Sequence, residues 1–340
     1  SNIKDSRERY SALLGIAENQ ARAGMVDAAV RTSELASSSM HRSNLLGAIA
    51  TTLSDAGYVQ DALNVSKLIP EEYRETRIAA VCYIASDMAT KGECSRALAV
   101  LERVDVDAAH ANELYLSQKA GVSLTSAEES IVYEASCKAV GLLLVVECQA
   151  HRGRFVEAAK LAETNGFGRF RDRALRSTVS IAANAGNLEV AHRIATQIRD
   201  EEEKSLALSE VAVGEAVNGL LDDSLKTLSA IIRAQHKGET MMRIAVVLAQ
   251  SGDHEKAEKM LLAAEKEQLE PATCTAAKVS IAQAFAEHGD FISAKHIAGG
   301  LTDQAARAKI MVAIGGAYAK TGNADDAQRS FQIGYECVLK

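Results

Sequence analysis

A glycine followed five positions later by an alanine recurs along this chain at a nearly constant spacing. The stretches AANAGNLEVAHR, AQSGDHEKAEKM and AKTGNADDAQRS show the pattern around Gly186, Gly252 and Gly322. The complete series of glycines is Gly24, Gly57, Gly92, Gly153, Gly186, Gly219, Gly252, Gly289 and Gly322. Most spacings are 33 residues, with single spacings of 35, 61 and 37 residues. A fixed period of this length indicates a protein built by stacking one supersecondary unit many times.

Small residues recur at two fixed distances from each glycine, and we call each such set of equivalent positions a column. Five positions after the glycine stand Ala29, Ala62, Ala97, Ala158, Ala191, Ser224, Ala257, Ala294 and Ala327. Three positions before it stand Ala21, Ser54, Ala89, Ala150, Ala183, Ala216, Ala249, Ala286 and Ala319. Side chains this small let two antiparallel helices cross closely, so the columns predict a tight crossing on both sides of the turn.

The glycine itself predicts the end of a helix, because it adopts the left-handed backbone conformation without a steric cost. Several repeats place an acidic or amide residue where the next helix starts, which predicts an N-terminal cap. The predicted caps are Asn187, Asp200, Asp253, Asp290, Asp303 and Asn323. Each unit is therefore predicted to be a helix, a glycine turn and a second helix, with the first helix the longer one.

At this point the chain resembles the tetratricopeptide repeat (TPR) family, whose units are helix pairs with small residues near the crossing. The resemblance covers nearly the whole chain, in about nine units. It implies an all-α fold, a right-handed α-α superhelix of about nine to ten helix-turn-helix repeats, forming one domain over residues 1–340. The chain departs from the family in its period of 33 rather than 34 residues, in Leu or Met at the usual aromatic positions, and in lacking the closing proline. Related α-solenoids remain alternatives.

The spacing of 61 residues between Gly92 and Gly153 is nearly two periods. Within it, the stretch HANELYLSQKAGVSLTSAEES offers Gly121 as a poor match to the pattern. We interpret residues 105–136 as a degenerate repeat, with an inserted loop as the alternative.

Composition agrees with a helical protein and excludes some partners. The chain has no Trp and only two prolines, and its apolar residues never form a run long enough to span a bilayer. The formal net charge is −7, which argues against a general surface for nucleic acid. We therefore expect a soluble protein with neither membrane nor nucleic acid as a partner.

The six cysteines contain no C-x-x-C pair and fall among helical apolar positions. They are Cys82, Cys94, Cys137, Cys148, Cys274 and Cys337. This distribution predicts six free thiols, mostly buried, and hence a reducing compartment such as the cytoplasm.

A search for catalytic or metal-binding motifs gives no candidate. The eight histidines form no H-E-x-x-H or other paired motif, and neither a P-loop, a G-x-S-x-G motif nor a Rossmann glycine fingerprint is present. We therefore expect no metal, no cofactor and no enzymatic activity.

A cationic column stands 15 positions before the glycine, at Arg9, Arg42, Arg77, Lys138, Arg171, Lys204, Lys237 and Arg307. It could form a ladder for an anionic ligand. In four repeats, however, an acidic residue stands four positions earlier, at Asp5, Glu134, Asp200 or Asp303. Because that spacing stabilises a helix by an ion pair, we favour a structural role for this column.

The sharper candidate site is the stretch GRFRDRALRS, where Arg169, Arg171, Arg173 and Arg176 stand within eight positions of an acidic protein. In TPR proteins the first helices line a concave groove, and the resemblance places Arg173 and Arg176 on that side. The predicted partner-binding residues are Arg169, Arg173, Arg176, His151, Ser180 and Asn184. Guanidinium groups suit a carboxylate or a phosphate, so an acidic protein or peptide is one expected partner. Alternatively, these arginines pair with Glu147, Asp172 or the acidic ends of neighbouring helices.

The family resemblance implies a non-enzymatic protein-protein interaction scaffold that binds a peptide or partner helix in its concave groove. An alternative is a ligand-sensing regulatory helical-repeat domain of a larger protein. A third class, RNA binding of the pentatricopeptide kind, requires a longer period and a basic face, and the sequence has neither. The oligomeric state does not follow from the sequence.

Overall fold

The computed structural model describes residues 6–165, 167, 169–267 and 269–339. Every regular element within these ranges is a helix, and the ranges contain no strand, which confirms the predicted all-α class. The chain divides into two compact units, Ser1–Ile181 and Ala182–Lys340.

The first unit contains a short 3₁₀ turn at Glu71–Tyr73 and a series of α-helices that mostly alternate in length. These helices are α1 (Ser6–Arg22), α2 (Val26–Glu34), α3 (Ser39–Asp55), α4 (Val59–Ser66), α5 (Arg74–Thr90), α6 (Cys94–Leu101), α7 (Ala108–Lys119), α8 (Ser126–His151), α9 (Phe155–Asn165) and most of α10 (Arg169–Asn184). The longer helices α1, α3 and α5 pack side by side, and each also packs against the shorter helix that follows it. Fully buried side chains such as Leu46, Ile49 and Ile84 form the core between them.

The second unit repeats this arrangement. Its helices are the end of α10, then α11 (Leu188–Ala195), α12 (Glu201–Val217), α13 (Leu221–Ser229), α14 (Ala234–Gln250), α15 (His254–Ala264), α16 (Pro271–Glu287), α17 (Phe291–Gly299), α18 (Gln304–Lys320) and α19 (Ala324–Leu339). The helices α12, α14, α16 and α18 have 17 residues each and pack in sequence. The predicted pairing of a longer first helix with a second helix is therefore present in this unit.

The predicted turn glycines all adopt the left-handed conformation. Their φ angles lie between +73° and +90°, and Gly121 in the long spacing shares this range. At Gly252, the backbone N–H of the following Asp253 donates to the carbonyl of Leu248, which closes the end of α14. At Gly24, a Cβ atom would also lie 2.7 Å from the hydroxyl oxygen of Tyr58, so the tyrosine ring would have to move to admit a side chain.

Five of the six predicted caps are confirmed, and one is wrong. At the confirmed positions the side chain accepts a hydrogen bond from a backbone N–H in the first turn of the next helix. They are Asp200, Asp253, Asp290, Asp303 and Asn323. Asn187 makes no such bond, because its amide nitrogen instead donates to the carbonyl of Ala185, at 3.4 Å. An aspartate could not make that bond, since an ionised carboxylate only accepts.

The alanine columns are buried as predicted, with one exception. Every residue five positions after a turn glycine is buried. The column three positions before the glycine is buried except at Ala319, which is exposed. This column faces the following helix pair, as Ala183 does where it contacts Gly214. No helix follows α19 within the described residues, so no further helix pair covers Ala319 there.

Replacing Ala257 with Leu is expected to lower the free energy of unfolding by about 1 to 3 kcal/mol, the usual cost of overpacking. Ala257 has no exposed surface, so three added heavy atoms must push α14 and α15 apart. Urea denaturation measures the change. Ala276→Leu on the exposed surface of α16 is the control and should be nearly neutral, because Leu and Ala have similar helix propensities. Equal effects of the two substitutions would show that the column does not set the crossing.

Residues 105–136 contain α7 and the first part of α8, a helix of 26 residues. Thr125 and Glu128 form a capping box at the start of α8. The helix α5 packs directly against α8, and α7 lies against α8 in a small cluster built on Ala111, Ala135 and Phe167. This segment therefore adds a helix to the series, and α8 takes the place of the next first helix.

The prediction of six free thiols is wrong, because Cys94 and Cys148 form a disulfide with their Cα atoms 5.7 Å apart. The fold brings them together because the start of α6 packs against the last turns of α8, where the Arg152 guanidinium also donates to the carbonyl of Gly92. The other four cysteines are free thiols. Burial raises the pKa of the Cys82 thiol to about 12, so it stays protonated. The expectation of a cytoplasmic location rested on six thiols and loses that support.

Within the described ranges, no helix combines the length and the apolar character that crossing a bilayer requires.

Candidate functional site

The arginine-rich helix α10 has one apolar side that is buried and one polar side that is not. Leu175 and Val179 have no exposed surface, whereas Arg173 is exposed and Arg176 and Ser180 are partly exposed. Positions 173, 176 and 180 are spaced by three and four residues, so they lie along one side of the helix. We call these three residues the α10 face.

The neighbouring arginine Arg171 belongs to the packing rather than to this face. Its guanidinium donates to the adjacent Asp172 and to Glu163 at 3.4 Å, and only 13% of its side chain is exposed. The hydroxyl of Ser177 donates to Glu147 at 2.7 Å. The alternative interpretation is thus correct for Arg171, which pairs with Asp172 and with Glu163 near the end of α9.

The other predicted site residues lie at helix ends. His151 is the last residue of α8 and Asn184 the last of α10, and both are exposed. The side chain of Arg169 lies outside the described part of the chain. The structure thus brings Arg173, Arg176 and Ser180 onto one helix face, and the binding roles of all six residues stay predictions.

The cationic column is engaged with the protein itself in several repeats. Arg9 donates to the carbonyl of Leu35 at 3.0 Å, and Lys138 donates to that of Val104 at 2.8 Å. Both carbonyls lie just beyond the end of a helix, where the helix dipole favours a cation. The predicted pairing of Lys138 with Glu134 is wrong, because Glu134 pairs with Arg74 instead. Asp5 lies outside the described residues.

A cavity of about 350 Å³ lies in the first unit between α4, α5 and the end of α6, and the sequence analysis did not find it. One side of it, the apolar wall, is formed by Leu63, Ile78, Val81, Val100 and Val104. Ile78, Val100 and Val104 are buried, while Leu63 and Val81 keep part of their surface open toward the cavity. The arrangement offers a hydrophobic pocket of the size that small ligands occupy.

Four cations, which we call the rim, also line this cavity: Lys67, Arg74, Arg77 and Arg103. Arg74 pairs with Glu134 at 3.2 Å and with Glu71 at 3.3 Å, and Arg77 also pairs with Glu71. The hydrogen bond to Glu134 is the main cause of a raised pKa at Arg74. Hydrogen bonds from Arg77 and then Arg74 lower the pKa of the exposed Glu71 carboxyl. These arginines are therefore held in place as cations.

The remaining two rim residues have no carboxylate partner among the described residues. Lys67 makes one long contact, 3.5 Å from its Nζ to the side-chain oxygen of Asn64. No ion pair or side-chain hydrogen bond of Arg103 is found within the described ranges, and its side chain is exposed. Asp105 is the single acidic residue in the lining, and it binds Arg74 through its backbone carbonyl rather than its carboxylate. Positive charge thus predominates at the cavity.

The cavity could not be found from the sequence because its residues come from three helices and the loops between them, over residues 60–105. Among the four rim residues, only Arg77 belongs to the cationic column that the repeat pattern identifies. A usable signal was the presence of Lys67 and Arg103 just after the ends of two consecutive second helices, α4 and α6. Within the described ranges, no group of His, Cys, Asp and Glu side chains is arranged to hold a metal ion.

Comparisons with known proteins yield no family. No protein-family model and no curated protein matches the sequence. Among solved structures, the chain is similar to Ton1535 from Thermococcus onnurineus NA1, with 12% identity, a TM-score of 0.30 and coverage of 96% of this chain and 98% of that one. It is also similar to a circular tandem repeat protein with novel repeat topology, with 15% identity, a TM-score of 0.22 and coverage of 97% and 70%. At such TM-scores neither likeness carries information about function.

Proposed function

We propose that this chain is a non-enzymatic binding protein of the TPR type, a right-handed superhelix of nine to ten helix pairs that captures an acidic peptide or partner helix. The proposal rests on the α10 face, where Arg173 and Arg176 stand one turn apart on the open side of a helix whose other side is packed. The glycine turns and alanine columns support a TPR-like arrangement, since they repeat through both units.

The chemistry of the α10 face favours a carboxylate. A guanidinium group presents its donors as a planar fork that matches the two oxygens of a carboxylate. Ser180, one turn beyond Arg176, adds a hydroxyl that can donate to a peptide carbonyl. The neighbouring Arg171, by contrast, is held by Asp172 and Glu163 and is mostly buried, whereas Arg173 is exposed and Arg176 is partly exposed.

A test begins with random peptides displayed on phage and selected on the wild-type protein. Selected peptides are expected to be rich in Asp and Glu. The double change Arg173→Ala and Arg176→Ala should weaken their binding, measured by fluorescence anisotropy, about tenfold. Two partly exposed contacts of about 0.7 kcal/mol each account for that factor. Binding should also weaken as salt rises, because partly exposed charges are screened.

The matched control removes the same charge elsewhere in the first unit, with Arg31→Ala and Arg154→Ala, both exposed. The control should bind the selected peptides like the wild type, and both variants should keep its melting temperature. If the control loses affinity equally, binding reflects overall charge rather than the α10 face. If the α10 variant melts earlier and binds normally, its arginines are structural and the proposal is wrong.

A further inference from the structure

We propose that the cavity between α4, α5 and α6 is a binding site for a small amphipathic anion, with its apolar chain against the apolar wall and its anionic head at Lys67 and Arg103. This site is separate from the α10 face, shares no residue with it and does not depend on the proposed peptide binding. Its ligand class follows from the volume, the wall and the charge of the cavity.

The volume and the wall select the body of the ligand. A cavity of about 350 Å³ is at the lower end of the range for small-molecule sites, so it suits a short chain rather than a nucleotide cofactor or a long lipid. Leu63, Ile78, Val81, Val100 and Val104 present only aliphatic carbon to that chain. Because each buried methylene group favours binding, affinity should grow with chain length until the cavity is filled.

The rim selects the head group. Glu71 and Glu134 already engage Arg74 and Arg77, so the charges of these two arginines are largely balanced within the protein. Lys67 and Arg103 are the two cations of the lining without a carboxylate partner in the described part of the chain, and they are the ones that an incoming anion would engage. A neutral chain would leave them as they are, and a cationic ligand would be repelled.

The single acidic side chain of the lining limits how many separate anionic groups the ligand can carry. Asp105 is exposed, and its carboxylate stands in the same lining as the rim. A second anionic group on the ligand would be repelled by Asp105. One anionic head is therefore favoured, and a carboxylate and a phosphate monoester share the chemistry that Lys67 and Arg103 recognise.

Isothermal titration calorimetry with octanoate, octyl phosphate, octanol and acetate tests the proposal, at concentrations below micelle formation. Octanoate or octyl phosphate is expected to bind the wild type with one site per chain and at least about tenfold more tightly than octanol and acetate. The stronger of the two identifies the head group. In a series of carboxylates from four to ten carbons, each added methylene should strengthen binding by about fourfold until a plateau.

Two variants assign the site. Lys67→Met and Arg103→Met together keep much of each apolar stem and remove both charges. The double variant should bind the anion about tenfold more weakly than the wild type, and its affinity for octanol should be unchanged. The control is Arg154→Met with Lys160→Met, two exposed cations of the first unit outside the cavity lining. Its affinity for the anion should equal that of the wild type. Circular dichroism melting establishes that both variants are folded.

Three results would overturn the proposal: octanol binding as tightly as the anions, equal loss of affinity in the two variants, or no binding of either octyl anion by the folded wild type. The variant with Arg173→Ala and Arg176→Ala should bind octanoate normally. Its behaviour distinguishes failure of the α10 face from failure of the cavity site.

Discussion

A variant with Cys94→Ser and Cys148→Ser is expected to lose about 3 to 4 kcal/mol of its free energy of unfolding. The disulfide joins residues separated by 54 positions, and closing a loop of that length removes much of the conformational entropy of the unfolded chain. Both cysteines are buried in the first unit, so the serine hydroxyls also enter an apolar environment. Urea denaturation without reductant measures the loss.

The control for this variant is Cys274→Ser, which changes a partly exposed free thiol and should alter the free energy of unfolding by less than about 0.5 kcal/mol. Alkylation of the denatured wild-type protein without reductant, followed by mass spectrometry, should label four cysteines. Labelling of all six would show that the disulfide is absent, and the stability difference should then shrink to the cost of burying two hydroxyl groups.

The second large effect is expected at Phe285, in the core of the second unit. This side chain has no exposed surface and lies in α16, with its ring 4.6 Å from the ring of His254 on α15. Phe285→Ala should lower the free energy of unfolding by about 3 to 5 kcal/mol, because it removes a buried aromatic ring and leaves a cavity. Urea denaturation or the shift in melting temperature measures the loss.

A matched aromatic control is Tyr335→Ala on α19, where 61% of the residue is exposed. Its cost should be far smaller, since most of that ring already contacts solvent. A small effect at Phe285 would mean that α15 and α16 can close over the vacated space. It would contradict the tight packing that the buried alanine columns indicate.

The helix pairs could be predicted from the sequence because the residues that determine each turn and crossing lie close together in the chain. A glycine such as Gly252 ends a helix, Asp253 starts the next one, and Ala257 sets how closely the two cross. All three effects act within six residues. The pattern can therefore be recognised in a single sequence, and its repetition makes the prediction stronger. The exception at Asn187 arises because its amide has both a donor and an acceptor and can turn the donor toward the turn.

The disulfide and the cavity could not be predicted in the same way. Cys94 and Cys148 meet only because α6 packs on a helix that follows the irregular segment 105–136, and no spacing motif marks such a pair. The rim of the cavity likewise depends on which arginines are used by Glu71 and Glu134, and that competition is decided in three dimensions. The charged residues of the rim can be counted from the sequence, but their ion-pair partners cannot be assigned from it.

The α10 face could be predicted in part. Helical spacing was enough to place Arg173 and Arg176 on one side of a helix, and the structure leaves both partly or fully exposed. Spacing could not separate them from Arg171, whose side chain is mostly buried and pairs with Asp172 and Glu163. Local periodicity thus sorts residues by side of the helix, while the choice between a structural and a functional arginine needs the neighbouring elements.

The disulfide also gives the first unit a covalent topology that the repeats alone would not have. The bond between Cys94 and Cys148 turns α6, α7 and most of α8 into a closed ring within the polypeptide. A single break of the backbone at the turn around Gly121 would leave two fragments, one carrying each cysteine and both still linked. The turn between α7 and α8 is therefore a place where the chain can be cut, permuted or extended without separating its halves, as long as the bond stays oxidised.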